Sequence, residues 1–84
     1  MTRAEVDAIA DESGDELLVA DGFDDCILGI GRQFNRTFVV YDYERVIQTL
    51  VDRDGMDWDD AVEFFEFNIV GAWVGESTPC FLSR

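Results

Sequence analysis

The chain has no lysine and no histidine, a single proline and two cysteines among its 84 residues. Without histidine it lacks the commonest general base near neutral pH and the commonest metal ligand. Cys26 and Cys80 stand in no metal-ligand spacing, and no imidazole exists to activate either thiol as a nucleophile. Both are expected to be small buried hydrophobes rather than a disulfide or a catalytic thiol. No apolar run approaches the ~20 residues that span a bilayer. The first residues, Met-Thr-Arg-Ala-Glu-Val-Asp, are acidic where a signal peptide is basic and then apolar, so a soluble, cytoplasmic protein is expected.

What the chain does have is acid. All six cations are arginines, and 19 Asp and Glu set the net charge at −13. Direct nucleic-acid binders concentrate positive charge to release counterions from phosphates; this field repels DNA, RNA and anionic membranes. Salt adaptation or an arginine-biased genome would leave the same composition. Disorder is excluded by 48% hydrophobic and 13% aromatic content. The length fits one domain, 1–84, that buries about 60–65% of its unfolded surface. That leaves little material for the second shell of an enzyme cleft, so a non-enzymatic protein without cofactor or metal is expected.

Along the chain, residues 1–21 form an acidic block. Thr2-Arg3-Ala4-Glu5 fits a capping box, followed by a thin apolar stripe of Val6, Ile9 and Ala10 and a stop at Ser13-Gly14. Cys26 to Gly31 predicts a buried strand and Thr37 to Tyr41 a second, joined by Gln33-Phe34-Asn35-Arg36 as a hairpin loop. Gly29 and Gly31 lack the lysine and following helix of a phosphate loop, and mark a bulge or a close backbone approach. Asp42 caps a predicted helix from Tyr43 to about Arg53, with Val46, Ile47, Leu50 and Val51 on one face. After Gly55, Asp57 caps another, roughly Trp58 to Ile69, whose core face holds Trp58, Ala61, Val62, Phe65 and Ile69. Pro79 to Leu82 is a short final strand. The order ββ-αα-β defines an α+β fold: a small, mainly antiparallel sheet covered on one face by an αα-hairpin, with a weak N-terminal helix.

The acidic window from Asp52 to Glu63 fails as a calcium loop, because glycine falls at its fourth position and Met56 at its fifth. Helix caps account for Asp54 and Asp57. On the second helix Asp59, Glu63 and Glu66 recur at i, i+4 and i+7, with axial separations of roughly 6 and 4.5 Å. That spacing is comparable to phosphates along a strand, and a solvated acidic face would have it too. Phe64 and Phe67 lie off the core stripe, to be covered by the 71–78 loop or the N-terminal block, or to serve as interface anchors. Asn68 is placed to clamp the backbone at the helix end. A small-ligand pocket rimmed by Trp73, Asn68 and Tyr41 is a further alternative.

Tyr41-Asp42-Tyr43, Val46-Ile47, Asp54-Gly55-Met56, Ala61-Val62-Glu63, Phe65-Glu66-Phe67-Asn68, Gly71-Ala72-Trp73-Val74-Gly75-Glu76 and Thr78-Pro79 together resemble an uncharacterised family of small phage, prophage and bacterial proteins. The likeness covers about residues 22–82 and leaves the acidic block outside. It implies an origin and no reaction. Together with the charge it points to an acidic binding protein that occupies a basic surface of a host protein, in the manner of an anti-defence, anti-CRISPR-type inhibitor. The partner-binding residues would be Asp59, Glu63, Glu66, Phe64, Phe67 and Trp73. The competing readings are an oligomerising module, such as a homodimer, and a binder of a small nucleotide or metabolite.

Overall fold

A computed structural model describes residues 1–14, 17–70 and 78–83, with the side chains of Ile69 and Val70 excepted. Three strands and three α-helices follow in the order α1 (Arg3–Ser13), β1 (Ile27–Gln33), β2 (Arg36–Asp42), α2 (Tyr43–Asp54), α3 (Trp58–Phe65) and β3 (Cys80–Leu82). A 3₁₀ turn at Asp24–Cys26 precedes β1, and a π-helical turn, Glu66–Val70, continues α3.

Local chemistry sets most of these boundaries. The Thr2 hydroxyl accepts the Glu5 N–H at 3.2 Å while the Glu5 carboxylate accepts the Thr2 N–H at 3.1 Å, closing the capping box. Gly14 ends α1 in the left-handed region at φ 73°. The Asp42 carboxylate caps α2 by accepting the Arg45 N–H, and Gly55 ends it at φ 70°.

The fold is the expected α+β arrangement, with a mixed sheet in the order β1-β2-β3. β1 and β2 pair antiparallel over most of their length, with a bulge between Ile27 and Gly29, whereas β3 runs parallel to β2. A parallel neighbour needs a long crossover rather than a tight turn, and residues 43–79, which include α2 and α3, supply it. Gly31 sits under the Phe38 ring, which leaves no room for a Cβ there.

One face of the sheet forms the core. Val39 and Tyr41 of β2 meet Val46, Ile47 and Leu50 of α2, Ala61 and Phe65 of α3, and Val6 of α1. Leu17, Val19 and Ala20 pack against this cluster without regular structure. The turn at Asp21-Gly22 is held by Arg53, whose Nη1 donates to the Gly22 carbonyl at 2.8 Å and whose guanidinium lies 5.1 Å from the Phe23 ring centre.

Three expectations are corrected. Trp58 is 45% exposed rather than a core anchor. It is the first residue of α3, and helical side chains lean toward the N-terminus, so its indole projects past the end of the helix. Cys80 is exposed, because Phe81 takes the core-facing place in β3 and a strand alternates its faces; Cys26 is buried as expected. The hairpin loop is only Phe34-Asn35, both strands running further than their apolar residues indicate.

Candidate functional site

Aromatic packing sets the rotation of α3. Phe65 is fully buried and meets Tyr43 and Phe81 edge-on, at centroid distances of 5.1 and 4.8 Å, and Phe81 stacks on Tyr41 at 5.5 Å. Ala61 is buried one turn before Phe65. With that stripe inward, the residues at the complementary spacing face solvent.

Asp60, Glu63, Phe64, Phe67 and Asn68 line a shallow groove there. Their spacing is i, i+3, i+4, i+7 and i+8, a single helical stripe. Phe67 is 80% exposed and Phe64 40%, so the groove has an aromatic floor and an acidic rim. The Asn68 amide donates to the Phe64 carbonyl at 3.0 Å, the backbone clamp expected of it. The π-helical turn begins at Glu66, inside this stretch, and such turns occur disproportionately at functional sites. Its wider winding shifts the residues from Glu66 onward away from the directions a continuous α-helix would give them.

Asp59, Glu63 and Glu66 are all exposed. Around the helix axis Asp59 falls about 40° to one side of Glu63 and Asp60 about 60° to the other. Glu63 is therefore shared between an acidic flank and the aromatic groove. Of the six residues expected to bind a partner, Glu63, Phe64 and Phe67 come together in the groove, Asp59 and Glu66 lie along its flank, and Trp73 lies outside the described residues, as do Gly71 and Gly75. Asp60 and Asn68 join the groove as residues that attention to i, i+4, i+7 acids alone passes over. The signal that finds them is the stripe complementary to Ala61 and Phe65.

The Asp57 carboxylate makes no capping bond, although its carbonyl accepts the Ala61 N–H at 2.9 Å and opens α3. Among the described residues no three acidic or thiol side chains gather as a metal-ligand set. Tyr41 is wholly buried, its hydroxyl accepting the Ala20 N–H at 2.7 Å, so it rims no open pocket with Asn68. No family model, curated protein or solved structure matches the chain.

Chemically, exposed phenylalanines beside carboxylates suit an arginine-bearing protein surface. A guanidinium can stack on the rings while its N–H groups pair with the carboxylates.

Proposed function

We propose that this chain is a non-enzymatic acidic inhibitor of phage origin, acting in the host cytoplasm by occupying a basic, nucleic-acid-binding surface of a host protein in the manner of an anti-defence, anti-CRISPR-type protein. The observation that carries the reading is the outward face of α3, where Asp59, Asp60, Glu63 and Glu66 surround the exposed Phe64 and Phe67. The net charge of −13 supports it by favouring encounter with basic surfaces and opposing direct contact with nucleic acid. The resemblance to phage and prophage proteins supplies the biological setting.

The test is capture of host proteins at low and at high salt by the native chain and two triple variants. One carries Asp59→Asn, Glu63→Gln and Glu66→Gln; the other carries Asp11→Asn, Glu12→Gln and Asp21→Asn, an equal change in charge placed elsewhere. Binding that is sensitive to salt and lost only in the α3 triple is the expected result. Melting temperatures of the α3 triple should hold or rise, since like charges at i, i+4 repel by a few tenths of a kcal/mol. Equal loss from both triples reduces the interaction to bulk charge, and loss from neither removes α3 as the binding face.

A further inference from the structure

Phe34 is unexplained by the fold that carries it. It opens the two-residue turn between β1 and β2 with φ +56°, a position where such hairpins favour glycine, and its side chain is 97% exposed. The residue thus combines an unfavourable backbone with a fully hydrated ring, and the core gains nothing from either. Strain of this kind points outward, to a contact the isolated chain does not make.

The charge around Phe34 is the reverse of the charge elsewhere. From Ile27 to Tyr41 there is no acid and there are two arginines, Arg32 and Arg36, which leaves all 19 acids and four arginines to the rest of the chain. Arg36 donates to the Gln33 side chain, and among the described residues neither Arg32 nor Arg36 forms an ion pair. The hairpin tip therefore presents an aromatic ring between two cations. The groove on α3 presents aromatic rings, Phe64 and Phe67, beside the carboxylates Asp60 and Glu63. One surface is the chemical complement of the other.

We infer that the occupant of this groove is the hairpin tip of a second copy of the chain. Phe34 of one copy seats against Phe64 and Phe67 of the next, and Arg32 and Arg36 pair with Asp60 and Glu63. Tip meets groove, so two copies can exchange the contact reciprocally in an isologous dimer, or pass it head to tail into a ring or an open chain. At physiological ionic strength the Debye length is about 8 Å, which screens the repulsion between the acidic bodies more than the close pairs at the contact. This contact takes the α3 face of the proposed host interaction, and the two are mutually exclusive, but it needs no host protein.

The test is sedimentation velocity over a concentration series at physiological salt, with the native chain, Phe34→Gly and Phe67→Ala. Glycine suits the φ at position 34 and Phe67 is a surface side chain, so both variants keep the fold, which circular dichroism checks. The native chain should sediment faster as concentration rises, and each variant should associate at least about tenfold more weakly. Mixing the variants is the decisive arm. Phe34→Gly keeps an intact groove and Phe67→Ala an intact tip, so the mixture should form a one-to-one dimer that neither forms alone. A native chain that stays monomeric, variants that associate like the native chain, or a mixture that behaves as its components would each overturn the inference. Phe34→Gly retains every acid of α3, so its capture of host proteins reports on the proposed function independently of self-association.

Discussion

Tyr41 stands at the centre of the core, stacked on Phe81, with its hydroxyl joined to the Ala20 N–H of a segment that has no regular structure of its own. Burial pushes its pKa above the ordinary 10.0, outweighing the opposing effect of the Ala20 hydrogen bond. Burial likewise raises the Cys26 thiol above 9.0, against the hydrogen bond with Thr49 3.5 Å away. Both groups are held neutral by the fold and ionise more readily when unfolded. Their stabilisation is therefore complete below about pH 8, declines as the unfolded thiol and then the unfolded phenol ionise, and is lost as pH climbs through the raised folded values. Melting temperatures between about pH 8 and pH 11 should fall progressively. Tyr41→Phe should be less stable by about 1–3 kcal/mol at neutral pH, through the orphaned Ala20 N–H, and should show a shallower alkaline decline. An unchanged decline would assign the effect to other groups. At this scale the sequence discloses residue types better than directions: Cys26 and Cys80 are chemically alike, and only strand alternation around Phe81 separates a buried thiol from an exposed one.

Among the elements, α3 was the most readable and the most misleading. The 3.6-residue recurrence identified Ala61 and Phe65 as its inner stripe, and both are fully buried. Phe65→Ala should cost about 3–5 kcal/mol, a large share of the ~5–15 kcal/mol that holds a small domain together. Chemical denaturation should show most molecules of this variant close to unfolding in plain buffer, and an unchanged midpoint would contradict the packing around Phe65. The same recurrence failed at the start of the helix, where Trp58 has an inward phase but no turn before it. The groove was half legible: Glu63, Phe64 and Phe67 stood out by charge and aromaticity, whereas Asp60 and Asn68 enter it only once the rotation of α3 is fixed by Phe65. The β1–β2 hairpin was legible as an element, but its tight turn was not, because a phenylalanine stands where turn chemistry favours glycine.

Across the whole molecule, charge is segregated. Residues 27–41 are free of acid, and all 19 acids lie before or after them in the sequence. Repulsion within the acidic part opposes folding, and added salt screens it. The melting temperature should rise as sodium chloride is raised from low to physiological concentration, and a flat or falling response would mean that local pairs such as Arg53 with Asp54, 3.1 Å apart, outweigh the collective field.

The parallel seating of β3 also imposes an order in time. The β1–β2 hairpin closes across two residues, a local event on the microsecond scale, whereas β3 can reach β2 only after residues 43–79 have been gathered into position. Loop-closure entropy makes that pairing late, and its three-residue register gives it little to resist opening. β3 is accordingly the latch of the domain, last to engage and first to release. In hydrogen exchange its amides should lose protection ahead of those of the hairpin, and simultaneous exchange of both would mean that the sheet opens as one body.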